Sequence, residues 1–309
     1  MPSVLITEFM DEPAVQMLAK QVTVQYQPEL FSQPDALLAQ VIGMDALIVR
    51  NRTQVNEPLL KQADKLKVVG RLGVGLDNID LATCKTLGIE VAPATGANSV
   101  AVAEYVIGAM FDLLRPITTG FDSVVDGKWP RTQMIGRELA GKTLGLIGMG
   151  DIAREVAKRA EAFAMQVVYF DPYVAAGTTP YQSMASLDEL LAAAECISLH
   201  VPLNDATRNL INANRLRQMK AGAILINTAR GGVVDEIALV NALKAGHVGG
   251  AALDVFEEEP MSADYGSRFA GVANLILTPH IAGVTSESNE RVSHVTAVNV
   301  LKALGLKEQ

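Results

Sequence analysis

Residues 141–171, GKTLGLIGMGDIAREVAKRAEAFAMQVVYFD, constrain the fold more than any other stretch of the chain. Thr143 to Ile147 is a short apolar run suited to a buried parallel strand, and Gly148-Met149-Gly150 follows it as a sharp turn. Ile152, Val156, Ala160 and Phe163 recur at helical spacing, which predicts a helix from Asp151 onward with one apolar face. Val167 to Phe170 is a second apolar run, and it ends in an acid, Asp171. Strand, glycine turn, helix, strand and acid in this order make a dinucleotide-binding βαβ unit.

Each part has a physical task. Gly148 allows the tight turn and Gly150 lets the backbone approach a pyrophosphate, which the unpaired N–H groups and positive dipole end of the helix attract. Met149, Asp151 and Ile152 complete the phosphate-facing turn. Asp171, 21 residues beyond Gly150, is placed to accept hydrogen bonds from the ribose hydroxyls. A carboxylate there repels a 2′-phosphate, and Pro172, Tyr173 and Val174 supply no cation to hold one, so NAD is expected rather than NADP. Ala153 stands at the third glycine position, adding a methyl where helix and strand pack.

Composition narrows the class. Hydrophobic residues make up 49% and charged residues 19%, enough for a large buried core over two domains. The formal charge of −8 argues against non-specific nucleic-acid binding, while leaving room for a local basic pocket. Two cysteines, Cys84 and Cys196, in apolar surroundings predict no disulfide framework, and no Cys/His spacing fits zinc. The N-terminus lacks the pattern of a signal peptide, and no run approaches the roughly 20 apolar residues of a membrane span, so a soluble, cytoplasmic protein with no membrane partner is expected.

Before residue 98, strands are expected at Val4–Thr7, Ala46–Arg50, Val68–Leu72 and Ile89–Ala92. Helical material lies between them at Pro13–Gln21, Asp35–Gly43, Pro58–Leu60 and Asp80–Leu87. This alternation predicts a parallel sheet wrapped by helices, without a glycine fingerprint after its first strand. A long helix over Asn98–Leu114 stops at Arg115-Pro116. The following segment, Ile117–Glu138, holds the only tryptophan, Trp129, and reads equally as a connecting loop or an oligomer contact. Ser186-Leu187-Asp188-Glu189 is a capping box opening a helix to Ala194. Further strands are expected at Cys196–Leu199, Ala223–Asn227, Gly250–Asp254 and Leu275–Leu277. Helices are expected at Ile237–Ala245 and Ser286–Leu304.

Ligands of an open parallel sheet bind beyond the carboxyl ends of its strands. Beyond Asn227 come Thr228-Ala229-Arg230-Gly231-Gly232; beyond Leu253 come Asp254 and the run to Glu259-Pro260; beyond Leu277 come Thr278-Pro279-His280. Hydride transfer at a hydroxyl-bearing carbon needs a group that takes the hydroxyl proton, which suits His280, and an anion that steadies the imidazole, which suits Glu259. Arg230 supplies the fork that a substrate carboxylate requires. Taken singly each has a bland alternative, a surface ion pair or a solvated loop, and His200, His247 and His294 are read as structural. Together at three strand ends they point to catalysis.

At this point the chain resembles the D-isomer-specific 2-hydroxyacid dehydrogenase family, most of all its phosphoglycerate dehydrogenase branch. The likeness rests on VVGRLGVGLDNIDL at 68–81, NSVAVAE at 98–104, GKTLGLIGMGDIA at 141–153, HVPLNDATRNLI at 200–211 and NTARGGVVDE at 227–236, with ALDVFEEEP and TPHIAG beyond. The resemblance implies an α/β protein of two doubly wound parallel-sheet domains. These are a Rossmann-type NAD domain at 98–287 and a discontinuous, flavodoxin-like substrate domain at 1–97 and 288–309. It implies that Arg230 binds substrate, Glu259 assists and His280 is the acid/base. It implies NAD contacts at Asp171, His200, Val201, Pro202, Thr207, Thr228, Ala229, Arg230, Asp254, His280, Ala282 and Gly283, in addition to the glycine turn. Asp151 departs from the arginine common in the family's turn.

The substrate side is expected from Arg50, Asn51, Arg71 and Leu72, with the N–H groups of Gly73, Val74 and Gly75 offered to a carboxylate as in the family. Arg50 and Arg71, with Arg52 and Arg131 nearby in type, give more positive charge than one carboxylate needs. A second anionic group on a small 2-hydroxy or 2-oxo acid is therefore inferred. The 3-phosphoglycerate type comes first, sulfolactate next, then glycerate or hydroxypyruvate. An NAD-sensing binding protein without turnover is the alternative of another class. A homodimer through the cofactor domain is expected, and no regulatory domain after Gln309.

Overall fold

The computed structural model describes residues 1–115 and 117–307; Pro116, expected to stop a helix, and the terminal Gln309 lie outside the described residues. Contacts divide the chain into one unit of Met1–Asn98 with Val284–Gln309 and a second of Ser99–Gly283.

The first unit holds five strands, β1 (Ser3–Ile6), β2 (Thr23–Tyr26), β3 (Ala46–Val49), β4 (Val68–Arg71) and β5 (Glu90–Pro93), in the order β2-β1-β3-β4-β5 with every pair parallel. That is the flavodoxin-like winding. β3 is four buried apolar residues, as a strand covered on both faces must be. β2 was not expected from sequence, because TVQY is half polar and, at the sheet edge, no residue of it is buried. The helix Ser286–Ala303 packs on this sheet: Val292, Ala297, Val300 and Leu301 share a core with Val4, Ile6 and Ile48. Gly70 in β4 makes room for it, since a Cβ there would lie 2.5 Å from Val300 Cγ2 and 3.1 Å from Thr296 Cγ2.

The second unit is a seven-stranded parallel sheet: β6 (Thr143–Ile147), β7 (Gln166–Phe170), β8 (Gln182–Ser183), β9 (Cys196–Leu199), β10 (Ala223–Asn227), β11 (Val248–Leu253) and β12 (Leu275–Leu277). Its order, β12-β11-β10-β9-β6-β7-β8, reverses between β6 and β9, the place where a doubly wound sheet opens a ligand crevice. One core lies on each face of the sheet, one around Leu190, Leu225 and Val233, the other around Val106, Val156 and Ile226.

Several local expectations change. Helices Phe121–Val125 and Ala213–Gln218 and the two-residue β8 are short and carry too little periodicity to be read. The capping box at Ser186 is half formed: Ser186 accepts from Glu189 N–H, but the Glu189 carboxylate takes the N–H of Ala185 instead of that of Ser186. A complete box occurs at Thr285 and Ser288, opening Ser286–Ala303. Among the described residues no helix is long and apolar enough to cross a membrane.

Candidate active site

The turn after β6 can only be built with glycine. Gly148 has φ +92°, and a Cβ there would stand 2.5 Å from the carbonyl oxygen of His200, which follows β9. Met149 N–H donates to Asp171 Oδ2 (2.9 Å) and Tyr173 N–H to Asp171 Oδ1 (2.9 Å), so the acid at the end of β7 is pinned against the turn. Each oxygen retains lone pairs for ribose hydroxyls. Gly150 caps helix Asp151–Ala162, with open space where its side chain would be. Asp151 is exposed beside it, and Ala153 is buried in the core of the second unit.

The rim beyond β9 and β10 carries polar atoms in need of partners. Thr228 Oγ1 and His200 Nε2 are buried without a hydrogen bond, a condition that buried polar groups rarely keep. Burial pushes the His200 pKa down to about 3, so its ring is neutral. Thr207 Oγ1 donates to the Pro202 carbonyl (2.6 Å) and holds the loop after Val201. A cradle that excludes a Cβ, an open helix N-terminus and orphaned polar atoms all fit a dinucleotide.

The catalytic candidates come from three neighbouring strands. After β10, buried Asn227 accepts from Ala229 N–H (3.0 Å) and donates to the Arg230 carbonyl (2.9 Å), fixing the backbone that carries Arg230. The next residue, Gly231, lies against the loop after β11: a Cβ there would be 2.6 Å from Glu257 N and inside the van der Waals radius of the Phe256 carbonyl. Glu259 in that loop accepts from Phe256 N–H with Oε1 (2.9 Å), and its Oε2 lies 2.7 Å from His280 Nδ1. Burial works against the Glu259 charge, but the hydrogen bond and charge of His280, the Phe256 N–H and the charge of Arg230 outweigh it, and its pKa is lowered.

A carboxylate can only accept, so Nδ1 of His280 carries the proton of that bond and Nε2 is left to exchange one. His280 itself sits at φ +58°, an unusual conformation for a side-chain-bearing residue. The turn is held by Asp254, whose Oδ1 accepts from Thr278 Oγ1 (2.6 Å) and Ile281 N–H (2.8 Å) and whose Oδ2 accepts from Ala282 N–H (2.8 Å). Thr278 in turn meets the Tyr105 hydroxyl at 2.6 Å. Because the Thr278 proton goes to the carboxylate, Tyr105 donates. Asp254, one of the residues expected to face the cofactor, thus also anchors the histidine turn.

Tyr105, Thr278, Asn227 and Glu236 had not been singled out. Buried Glu236 accepts from Glu257 N–H (3.0 Å) and the Tyr265 hydroxyl (2.7 Å), steadying the Glu259 loop from below. An asparagine ending an apolar strand was the one available signal, at Asn227; Tyr105 stands in an apolar helix with nothing to mark it.

The substrate candidates belong to the first unit, at the ends of the adjacent strands β3 and β4. Arg50 Nη2 donates to Asn289 Oδ1 (2.7 Å), and Arg71 Nη1 to the Leu72 carbonyl (2.7 Å). Gly73 lies against the Arg71 guanidinium at φ +137°, a backbone conformation that side-chain-bearing residues rarely adopt. Gly73 N–H is spent on the Arg71 carbonyl (2.8 Å), leaving those of Val74 and Gly75 as the ones to offer a carboxylate. Asn51 is exposed, and Arg52 stacks 4.5 Å from the Phe31 ring, an ordinary surface role.

Residues 107–282 match the model of the D-isomer specific 2-hydroxyacid dehydrogenase, NAD binding domain. The chain is similar to an (S)-sulfolactate dehydrogenase of Chromohalobacter salexigens, 50% identical over 99% of this chain and 100% of that one. The chain belongs to the D-isomer-specific 2-hydroxyacid dehydrogenase family. A D-3-phosphoglycerate dehydrogenase of Archaeoglobus fulgidus is 38% identical over 98% of this chain, which spans 58% of that protein. A crystal structure of D-lactate dehydrogenase from Aquifex aeolicus, complexed with NAD and lactic acid, superposes with a TM-score of 0.83 at 32% identity, covering 98% of this chain and 95% of that one. This dehydrogenase uses NAD and exchanges a hydride with a small anionic 2-hydroxy acid.

Proposed function

We propose that this dehydrogenase oxidises a 2-hydroxy acid bearing a second anionic group, a sulfonate in the first place, to the 2-oxo acid. Identity of 50% along the whole chain to a sulfolactate dehydrogenase puts the sulfonate ahead of the phosphate that sequence reading favoured. The observation that carries the reaction is the 2.7 Å pair of His280 Nδ1 and Glu259 Oε2 on the rim that also carries Arg230. Arg230 binds the substrate carboxylate as a fork. His280 Nε2 takes the hydroxyl proton, and Glu259 stabilises the imidazolium that results. When bound, NAD accepts the hydride from the same carbon. In the reverse direction His280 returns the proton to the carbonyl oxygen.

The turn Gly148–Gly150, with Ile152 beside it, would hold the pyrophosphate, and Asp171 the ribose. Val201, Pro202, Thr207, Thr228, Ala229, Ala282 and Gly283 would line the cofactor path. On the first unit the proposed substrate contacts are Arg50, Asn51, Arg71, Leu72, Val74 and Gly75. An NADH oxidation panel of sulfopyruvate, phosphohydroxypyruvate, hydroxypyruvate and pyruvate tests the substrate class; a wide margin in kcat/KM for the monoanions would reject it.

The same reading includes a cytoplasmic homodimer through the cofactor domain. Cys84 and Cys196 are free thiols, which suits a reducing compartment. Ile117, Phe121, Val125, Trp129 and Ile135 are each more than two thirds exposed within one segment, an apolar surface that a second copy would cover. Sedimentation of the wild type and of Trp129→Glu checks this: a monomer in the wild type contradicts it.

A further inference from the structure

Arg50, at the end of β3, is half-buried, and burial lowers its pKa while the charge of Glu8 raises it. No carboxylate among the described residues forms an ion pair with its guanidinium. Glu8, itself 3% exposed, spends its oxygens on backbone: Oε1 accepts from Arg50 N–H (2.8 Å) and Thr53 N–H (2.9 Å), Oε2 from Arg52 N–H (3.1 Å). Asn78 Nδ2 clamps the same loop through the carbonyls of Arg50 (3.1 Å) and Thr53 (2.7 Å). The loop is thus fixed with the Glu8 carboxylate hydrogen-bonded to backbone N–H groups rather than paired directly with the guanidinium. The side-chain partner of the guanidinium is an amide, Asn289 Oδ1 at 2.7 Å, from the first turns of helix Ser286–Ala303.

An aspartate in that place would keep the geometry and cancel the charge. A half-buried guanidinium whose direct side-chain partner is neutral, with Glu8 acting on it only through space, can still take up an anionic ligand group. We propose that Asn289 is a specificity-determining residue, orienting Arg50 through a neutral acceptor so that its charge is kept for the second anionic group of the substrate. This rests on the dianionic substrate class proposed above.

The test compares the wild type with Asn289→Asp and Asn289→Gln in NADH oxidation, with sulfopyruvate as dianion and pyruvate as monoanion. The ratio of the KM for sulfopyruvate to that for pyruvate is expected to rise by about tenfold or more in Asn289→Asp, the loss of one charge-assisted contact. It should return close to the wild-type ratio in Asn289→Gln, which keeps a neutral acceptor. An unchanged ratio in Asn289→Asp overturns the role of Asn289 even if the wild type prefers the dianion. If the wild type prefers pyruvate, the substrate class fails instead, and stabilisation by inorganic sulfate decides the matter of Asn289. A sulfate-dependent rise in Tm that is lost in Asn289→Asp upholds it, and equal behaviour of the two proteins refutes it.

Discussion

Gly231→Ala adds one methyl where the Arg230 loop meets the Glu259 loop. The added carbon would stand 2.6 Å from Glu257 N and closer still to the Phe256 carbonyl. Non-bonded heavy atoms rest at about 3.5–4.0 Å and the Phe256 carbonyl oxygen would lie at about half that distance, so the two backbones must separate by roughly 1.5–2 Å. Glu259 is only two residues beyond Glu257 and takes the N–H of Phe256, so it moves with the loop and His280 loses its 2.7 Å partner or Arg230 is displaced. A misplacement of about 1 Å among reacting groups costs on the order of 100-fold. We therefore expect kcat/KM for 2-oxo acid reduction to fall about 100-fold in Gly231→Ala, while NADH, titrated by fluorescence, binds with a Kd close to wild type. Overpacking costs about 1–3 kcal/mol, so Tm should drop by several degrees with the protein still folded. Activity within about threefold of wild type would refute the close approach as the basis of the site's geometry.

Tyr105→Phe removes the donor to Thr278 without changing the helix, and the loss of one neutral hydrogen bond of about 0.5–1.5 kcal/mol should lower kcat roughly 2–10-fold, read by steady-state NADH oxidation. A decrease in NADH affinity with kcat unchanged would place Tyr105 outside the histidine turn. Glu259 has a folded-state pKa below its ordinary value, so its stabilising effect is present above that ordinary value near 4.5 and is lost as pH falls through the lowered one. The Tm gap between wild type and Glu259→Gln should accordingly be open at pH 6 and close as the pH is taken below about 4, followed by calorimetry. A gap that widens on acidification contradicts the ionised pair.

The sheet of the second unit was readable because its strands β6, β9, β10 and β12 are short apolar runs that end where the polar, chemistry-bearing residues begin. Arg230, Glu259 and His280 could be chosen as candidates for the same reason, each following a strand end. The edge strand β2 escaped notice because an edge half open to solvent needs no apolar alternation. The positioning shell escaped for a different reason. Tyr105 reaches the His280 turn through Thr278, and Asp254 through Thr278, Ile281 and Ala282; the relation between a helix residue and a turn over 170 positions later exists only in the fold. Asn289 and Arg50 are likewise 239 positions apart, and no local pattern links them. The spending of Gly73 N–H on the Arg71 carbonyl is a matter of loop geometry, which composition does not encode.

The proton exchange assigned to His280 is tested most directly by His280→Asn, with turnover and cofactor binding measured on the same preparation. Removing a general acid/base costs about 100- to 10,000-fold. The expected result is a loss of kcat in that range with the NADH Kd within about twofold of wild type, since the cofactor turn at Gly148–Gly150 and Asp171 is untouched. Turnover retained within about tenfold of wild type would contradict the acid/base role of His280.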